Sequence, residues 1–322
     1  MFTRISAFFI SVLIALTSAF SFIPRQLWFG GKTYAAADGE AILLNAALIS
    51  DTHSDSSFVH ERTKIMRRVF CGISQADDMP DVLVMAGDIS NASDPKEYRM
   101  LEWSMQNFNK IGTVLPAAGN HDVRARDTYG EALGYFCDFL RFCGIESDTT
   151  YYAAEVKGFP FIILGSDDML SLEAEISDTQ LAWFEAQLTQ SMESQKPVFI
   201  VCHQPLYGSN NVTYHPEAEK NYGVGAQSGK IEAILKKYVP DYDYPVFFIN
   251  GHLHRDYDEY TVDGNFCQNL YCITLPSASK TGEGGLGMAM EVYPDKVLLR
   301  GRNYITAERI NQYEIPLTTP IS

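Results

Sequence analysis

Short runs of apolar residues, separated by polar and turn-forming residues, recur along most of the chain. Runs of this length, each bounded by a polar turn, are typical of buried strands. We predict strands at Ala41–Ser50, Val82–Ala86, Thr113–Ala118, Phe161–Gly165, Val198–Cys202 and Val246–Asn250. The regular spacing of these runs leaves room for helices between them, as in an α/β fold.

Two of the intervening stretches carry helix-start signals. Ser177 and Gln180 fit a capping box ahead of the amphipathic run Leu181–Met192, because a serine at the N-cap accepts from the third helical residue. Pro95 is suited to the first turn of a helix that extends to about Asn107, since proline lacks an amide hydrogen that this position does not need.

Beyond residue 270 the pattern indicates strands only. These are Tyr271–Leu275, Gly287–Tyr293, Lys296–Gly301 and Arg309–Ile315. The chain contains neither an internal repeat nor a long linker rich in Pro, Gly or Ser. We therefore predict one α/β domain over residues 38–322, with a β-rich C-terminal part.

The N-terminus has the pattern of a targeting segment. Arg4 precedes an uncharged, largely apolar stretch over residues 5–23, and the next charge is Arg25. A basic start followed by an apolar stretch is typical of a secretory signal, but this stretch is close to the ~20 residues that span a bilayer. Residues 1–37 are thus either a signal peptide or an N-terminal membrane anchor. Both alternatives predict a secreted or extracytoplasmic protein.

Composition narrows the function classes. With 46% hydrophobic residues the chain is not a disordered protein, and a net charge of −15 disfavours binding to nucleic-acid polymers, which need basic surfaces. Small molecules or metal cations are the partners that remain.

Export would allow disulfides, and Cys137 with Cys143 or Cys267 with Cys272 would be local pairs, although sequence proximity does not fix connectivity.

Metal-binding side chains stand at the ends of five predicted strands, where ligands gather in open α/β sheets. Residues two apart on an extended backbone point the same way, so Asp51 with His53 and His252 with His254 can each reach one ion. Each motif alone is ordinary turn chemistry. Together they are informative, because five of the seven histidines in the chain fall at these ends. The full set is Asp51, His53, Asp88, Asn120, His121, Asp122, His203, His252 and His254.

This ordered set resembles the calcineurin-like metallophosphoesterases over about residues 41–255. The resemblance implies a four-layer αββα sandwich, with two mixed sheets flanked by helices. The purple acid phosphatase branch is disfavoured, because it carries a tyrosine ligand after Gly-Asp and usually a glutamate where Asp122 stands.

The resemblance also implies a site for two divalent metal ions. Asp88 would bridge them, and the mixture of nitrogen and oxygen donors suits Mn, Fe or Zn. The implied ligands are Asp51, His53 and His254 for the first ion, and Asn120, His203 and His252 for the second.

The implied reaction is hydrolysis of a small phosphomonoester or phosphodiester by a metal-activated hydroxide. His121 would act as general acid toward the leaving group, and Asp122 would orient it through the second ring nitrogen. The alternative is a catalytically silent metal- or partner-binding protein on the same fold. The oligomeric state is not predicted.

Three further stretches bear on ligand binding. Gly282–Gly287 matches a dinucleotide-binding pattern but precedes a predicted strand, whereas that pattern must open a helix. Gly229-Lys230 matches only the end of a phosphate-binding loop. The polar and aromatic loop Gly208–Gly225 follows His203, and it either lines the substrate cleft, with His215 and Tyr222 as candidates, or is a plain surface loop.

Overall fold

The structure is a computed structural model that describes residues 41–76, 79–106, 111–124, 128–169, 172–215 and 221–321. The predicted targeting segment lies outside these residues. Within the described ranges, no helix combines the length and apolar character needed to cross a bilayer.

Two mixed six-stranded sheets form the centre of the fold. The first has the order β12-β11-β10-β1-β2-β3 and the second β4-β5-β6-β7-β9-β8. The strands are β1 (Leu44–Ile49), β2 (Val82–Ala86), β3 (Thr113–Ala117), β4 (Tyr152–Val156), β5 (Phe159–Ile163), β6 (Val198–Val201), β7 (Val246–Asn250), β8 (Val262–Cys267), β9 (Leu270–Thr274), β10 (Leu286–Val292), β11 (Lys296–Asn303) and β12 (Glu308–Pro316).

Helices cover both sheets, which confirms the four-layer αββα arrangement. They are α1 (Glu61–Ile73), α2 (Pro95–Gln106), α3 (Asn120–Val123), α4 (Tyr129–Phe142), α5 (Asp178–Met192) and α6 (Ser228–Tyr238), with short 3₁₀ turns at Gly225–Gln227 and Val239–Asp241. Helices α1, α2 and α4 pack together, while α5 packs on β5 and β6 of the second sheet and on α6.

Parallel pairing aligns the strand ends that carry the site. In the first sheet β1, β2 and β3 run parallel, with Ala46 opposite Val82 and Val82 opposite Thr113. In the second sheet β6 and β7 are parallel neighbours, with Val198 opposite Val246. Because these strands point the same way within each sheet, their carboxyl ends share one edge, where ligands bind in α/β folds.

Most predicted elements are confirmed, with small shifts. Ser177 caps α5 and accepts from the amide of Gln180 at 3.1 Å. The strand expected at Phe161–Gly165 starts two residues earlier, as β5. Gly282–Gly287 runs into strand β10 rather than a helix, so its rejection as a dinucleotide site is confirmed.

Two strands were not predicted from the sequence. Strand β4 alternates buried and exposed residues at the edge of its sheet, and β8 contains a glycine and a register shift, so neither is a continuous apolar run. All six cysteines are free thiols; the local bridges at 137/143 and 267/272 are not formed.

Candidate metal centre

Four separate strand ends, those of β1, β2, β6 and β7, bring their histidines and carboxylates together at one largely buried cluster. Asp51, His53, Asp88 and His254 hold ligand atoms that all lie within 4.8 Å of one another. A second such group consists of Asp88, His203 and His252. Asp88 belongs to both groups, which is the position that a bridging carboxylate needs. We call these six residues the metal cluster.

The backbone of the metal cluster is strained at five of its six residues. Asp51, His53, Asp88, His252 and His254 all have φ between 39° and 69°. This left-handed region costs an ordinary L-residue about 1–2 kcal/mol, and such strain persists where the surroundings enforce it, commonly at functional sites. The sharp turns aim consecutive side chains into one point instead of along a strand.

Glycines beside these residues leave room for the close approach. A Cβ on Gly87, whose φ is +90°, would lie 2.4 Å from the His203 ring. A Cβ on Gly119 would meet the Asp88 carboxylate at 2.3 Å, and one on Gly251 would meet Ser50 Oγ at 1.8 Å. Side chains larger than hydrogen are therefore excluded at all three motif glycines.

Hydrogen bonds from neighbouring strands fix the loops of the metal cluster. The amide of Asp51 donates to the carbonyl of Gly87 at 3.0 Å, and the amide of His53 donates to that of Asp88 at 2.9 Å. Across the two sheets, the amide of His252 donates to Asp51 Oδ2 at 3.1 Å. The first and second sheets are thereby held together at the site itself.

His203 presents a defined ring nitrogen to the cluster. Its Nδ1 lies 2.7 Å from the carbonyl of Ala86, so that nitrogen carries the proton and donates. Nε2 is buried and has no hydrogen-bond partner, although it lies 3.3 Å from Asp88 Oδ2. A backbone carbonyl that fixes the tautomer in this way is the usual support of a metal-binding histidine.

The spacing and burial of these atoms fit a cation. His254 Nε2 lies 2.9 Å from Asp51 Oδ1, and His53 Nε2 lies 3.6 Å from Asp88 Oδ2. Two ligand atoms at about 2.1 Å from one ion with tetrahedral geometry are ~3.4 Å apart. His252 Nε2 is buried without a hydrogen-bond partner, and such an orphaned atom is costly unless something binds it. The residues therefore suit a metal pair.

The pKa shifts within the metal cluster also favour a bound cation. Burial lowers the pKa of His252 to about 3 and that of His53 to about 4, so both rings are neutral near pH 7, as metal ligands must be. Burial is the largest single influence on Asp88 and would raise its pKa, but the charges of His203, His53 and His121 and a hydrogen bond from His203 together outweigh it and lower that pKa. Burial likewise opposes the rise of the His203 pKa, which Asp88 nevertheless raises to about 9. Without a cation, a protonated His203 supplies the positive charge that the two buried carboxylates favour, and a bound metal ion would take the place of that proton.

Asn120 and His121 begin α3 directly beside Asp88. The amide of His121 donates to Asp88 Oδ1 at 2.8 Å, and Asn120 is buried. The His121 ring lies at the mouth of the cluster, where its side chain is 21% exposed and its Nε2 is 3.9 Å from Asp88 Oδ2. This position leaves His121 open to a substrate, as is His254, whose side chain is 47% exposed, whereas His53, His203 and His252 are buried.

The family model of the calcineurin-like phosphoesterases matches residues 44–256. The chain belongs to the calcineurin-like phosphoesterase family. This match confirms the resemblance seen in the motifs, and the matched stretch contains every residue of the metal cluster together with Asn120, His121 and Asp122.

Curated relatives within this superfamily share part of the chain. The glycerophosphodiester phosphodiesterase GpdQ of Enterobacter lignolyticus is 28% identical over 186 residues, covering 54% of this chain and 62% of the relative. The human manganese-dependent ADP-ribose/CDP-alcohol diphosphatase is 26% identical over 155 residues, covering 47% of this chain and 39% of the relative. Each match spans less than two thirds of the relative's own length.

Solved structures show the same fold over most of the chain. A dimetal phosphatase from Danio rerio superposes with a TM-score of 0.56 at 16% identity, covering 86% of this chain and all of that one. A purple acid phosphatase from yellow lupin superposes with a TM-score of 0.59 at 13% identity, covering 86% of this chain and 54% of that one.

One role assigned to Asp122 within the calcineurin-like motif needs correction. Its carboxylate does not orient the His121 ring. It is buried and accepts from the amides of Ile89, Ser90 and Gly119 at 2.8–3.0 Å, and from Tyr98 Oη at 2.8 Å. A carboxylate can accept several hydrogen bonds at once. Because donors from both loops meet on this one, Asp122 ties the loop after β2 to the loop after β3.

A backbone carbonyl takes the place predicted for Asp122. The oxygen of Asn91 lies 2.6 Å from His121 Nδ1, and Glu97 holds this loop by accepting from the amides of Asn91 and Ala92 at 3.0 and 2.8 Å. A carbonyl that fixes one ring nitrogen leaves the other for chemistry. No side-chain pattern could have indicated this contact, because a carbonyl has no residue type.

Three further residues at the site were missed from the sequence. Nη2 of Arg124 lies 2.6 Å from His121 Nε2, which brings a positive charge to the mouth of the cluster; a basic residue directly after Asn-His-Asp-Val was the available signal. Ser277 and Ser279 each donate through Oγ to the carbonyl of Asp51 at 3.0 Å. Isolated serines in the β-rich part gave no such signal.

Proposed function

We propose that this chain is an exported, metal-dependent phosphoesterase that hydrolyses small phosphodiesters. The observation that carries the proposal is the convergence of Asp51, His53, Asp88, His203, His252 and His254 on one point, where all but His254 are buried, with His121 beside it. The names of the curated relatives, a glycerophosphodiester phosphodiesterase and a diphosphatase, favour phosphorus with two ester or anhydride links over a monoester.

The predicted ligand assignment fits the two groups of the metal cluster. Asp51, His53 and His254 would hold one divalent ion, and His203 and His252, together with Asn120, would hold the other. Asp88 would serve both. When bound, such a pair lowers the pKa of a shared water and neutralises charge on the phosphoryl oxygens. Mn, Fe and Zn suit these donors.

His121 supplies the proton chemistry that the cluster itself lacks. The oxygen that leaves phosphorus develops negative charge, and a nearby N–H that donates to it lowers the barrier, typically by 10²–10⁴-fold in rate. With Nδ1 held by the Asn91 carbonyl, Nε2 is the ring atom of His121 that would donate to this oxygen, and it can do so only after the Arg124 guanidinium, whose Nη2 lies 2.6 Å from it, moves off that nitrogen. Arg124 lies close enough to the ring to compensate the same charge.

Catalysis on two substrates tests the proposal. The purified chain, reloaded with Mn²⁺, is expected to hydrolyse bis(4-nitrophenyl) phosphate faster than 4-nitrophenyl phosphate. Asp88→Asn keeps the shape of the side chain and removes its charge, so it should abolish turnover and lower the metal content per chain. A wild-type protein that binds two ions and cleaves neither substrate would overturn the proposal in favour of a silent metal-binding protein.

Export is the other part of the proposal, and it rests on the sequence of residues 1–37. Arg4 followed by an apolar stretch supports either a cleaved signal or an uncleaved anchor. Mass spectrometry of the N-terminus after expression of the full chain separates the two, since cleavage removes the apolar stretch and anchoring leaves it in the membrane fraction. Intact chain in the cytosol would contradict both.

A further inference from the structure

A pocket adjoins the metal cluster on the side of His252 and His254. It has a volume of about 240 Å³ and is lined among others by Val212, His215, Asn221, Tyr222, Leu253 and Arg255. We call it the adjoining pocket. Pockets that enclose a whole drug-sized ligand measure ~300–1,000 Å³, so this one suits a portion of a substrate.

The adjoining pocket and the metal cluster are formed by neighbouring residues. Leu253 and Arg255 alternate in sequence with His252 and His254, so neighbouring Cα atoms are only ~3.8 Å apart. On the opposite wall, the Tyr222 ring lies 5.9 Å from the His252 ring, centroid to centroid. A molecule bound at the metal cluster and extending past His252 enters this pocket.

The charge of the adjoining pocket is positive. Among the described residues that line it, none is a carboxylate, and Arg255 supplies a guanidinium. Arg255 donates through Nη1 to the carbonyl of Asn210 at 2.7 Å and makes no ion pair within the described part of the chain. In a protein with a net charge of −15, an arginine without a carboxylate partner beside an anion-hydrolysing site is suited to bind a second anionic group.

Tyr222 gives the pocket an aromatic wall that faces solvent. Its side chain is 46% exposed, although its neighbours are fixed: a Cβ on Gly223 would lie 2.5 Å from the Tyr207 ring, so residue 223 packs flat on that tyrosine. The amide of His215 donates to Asn221 Oδ1 at 3.0 Å. An exposed, held aromatic ring beside a basic group provides a stacking surface for a planar base.

We propose that the adjoining pocket binds the part of the substrate beyond the reacting phosphorus, and that Arg255 and Tyr222 select a nucleoside diphosphate ester. The second phosphate pairs with Arg255, and the base lies against Tyr222. This inference rests on the proposed function and narrows its substrate class. The reaction is hydrolysis of the anhydride: water adds to one phosphorus, the P–O–P bond breaks, and the two phosphate monoesters leave.

Substrate comparison on the Mn²⁺-loaded enzyme tests the role of Arg255. The probes are ADP-ribose, which carries a second phosphate, and bis(4-nitrophenyl) phosphate, which does not. Arg255→Met is expected to lower the ratio of kcat/KM for ADP-ribose to that for bis(4-nitrophenyl) phosphate by about 10–100-fold, the loss expected for a charge-assisted hydrogen bond. Arg255→Lys should recover part of the ratio, and Arg309→Met on the exposed edge strand β12 should leave it unchanged.

Calorimetric binding gives a readout that does not depend on turnover. ADP and AMP differ by one phosphate, so Arg255→Met should weaken ADP at least about 10-fold more than AMP. Tyr222→Leu removes the stacking surface and should weaken both, by roughly fivefold or more. Metal content per chain should be unaltered in these variants.

Three results would overturn the inference while leaving the proposed function intact. The first is hydrolysis of bis(4-nitrophenyl) phosphate without hydrolysis of ADP-ribose. The second is an equal loss on both substrates in Arg255→Met, which would show that this arginine merely supports the loop of His254. The third is a similar loss with glycerophosphocholine, a diester that has neither a second phosphate nor a base. Failure to cleave any of these substrates would instead reject the proposed function.

Discussion

The metal cluster and the adjoining pocket share a wall but are built in opposite ways. The cluster is formed at strand ends, its carboxylates are fully buried, and five of its six residues lie in the left-handed region. The pocket is formed from loop residues, its tyrosine is half exposed, and its His215 and Asn221 bond to each other through two exposed hydrogen bonds. Backbone strain and buried carboxylates are concentrated at the cluster, although its His254 is 47% exposed, whereas the pocket offers an accessible aromatic ring and a guanidinium.

This difference separates what substitutions in each region should change. A residue of the cluster or its mouth acts on the reacting atoms, which every substrate shares, so its loss should lower kcat for all substrates. A residue of the pocket contacts only the part of a substrate that differs from one ester to another. Its loss should raise KM for some substrates and leave others nearly unaffected.

Among residues that are not metal ligands, the largest effect is expected from His121→Gln. If His121 donates a proton to the leaving oxygen, this variant should lower kcat by ~10²–10⁴-fold on glycerophosphocholine, whose leaving alcohol is weakly acidic, and much less on bis(4-nitrophenyl) phosphate, whose leaving phenol is acidic, with little change in KM on either. Steady-state kinetics on both substrates measures this. The factor should shrink with an ester whose alcohol is strongly acidic, because such a leaving group needs no proton; equal factors on good and poor leaving groups would contradict the general-acid role.

Gly87→Ala tests the steric basis of the cluster. The alanine would have to adopt φ near +90°, and its Cβ would lie 2.4 Å from the buried His203 ring. A left-handed alanine costs about 1–2 kcal/mol and overpacking typically 1–3 kcal/mol, so we expect a loss of ~2–5 kcal/mol in the free energy of unfolding, measured by urea denaturation, together with weaker metal binding.

Gly134→Ala is the matched control. Gly134 lies inside α4, and a Cβ there meets nothing within 4 Å. Alanine is favoured over glycine in helices by roughly 0.5–1 kcal/mol, so this variant should be more stable than the wild type. Equal behaviour of the two glycine variants would mean that residue 87 tolerates a side chain.

The glycines also show why the motifs could be recognised from sequence. Asp88, Asn120 and His252 each follow a glycine, because the preceding residue has no room for a Cβ or must turn sharply. Steric need of this kind fixes a residue type at a fixed spacing, so it is visible without a structure. The alternation of strands and helices predicts an α/β domain, and the four-layer fold is what the family resemblance of these motifs implies.

Metal removal should distinguish the cluster from the pocket by local stability. A ligand that binds only the native state adds ~2.7 kcal/mol when its concentration is 100 times its dissociation constant. Chelation should therefore lower the melting temperature and, in hydrogen exchange, deprotect the loops of Asp51 and Asp88. The segment around Asn221 and His215 should exchange at the same rate with and without metal; equal deprotection of both regions would contradict their independence.

Other parts of the site left no trace in the sequence because they depend on geometry between distant segments. The carbonyl of Asn91 reaches His121 only because the loops after β2 and β3 meet, and Arg255 is one basic residue among 25. Asp122 was identified as important for the wrong contact: its motif is local, but its hydrogen-bond partners, such as Tyr98, come from another loop and helix. Local sequence patterns therefore identify important residues more reliably than they identify the residues that these contact.

The smallest effect tests whether the β-rich C-terminal part supports the metal cluster. Ser277 and Ser279 both donate to the carbonyl of Asp51 at 3.0 Å, although both lie beyond the matched residues 44–256. Each single alanine variant should cost about 0.5–1.5 kcal/mol. The double variant leaves that buried carbonyl without either hydroxyl donor, so its cost should exceed the sum of the two singles, and metal affinity should fall.

Ser104→Ala serves as the reference for this double-mutant cycle. Ser104 is buried in α2, and its Oγ donates to the carbonyl of Met100 at 2.8 Å, within the same helix. Loss of this hydroxyl should lower the free energy of unfolding by a similar amount, about 0.5–1.5 kcal/mol, without changing metal affinity. Additive serine variants at 277 and 279 with unchanged metal affinity would show that the C-terminal strands only pack against the domain. Non-additivity would instead make Asp51, at φ 54°, a position that this part of the chain helps to hold.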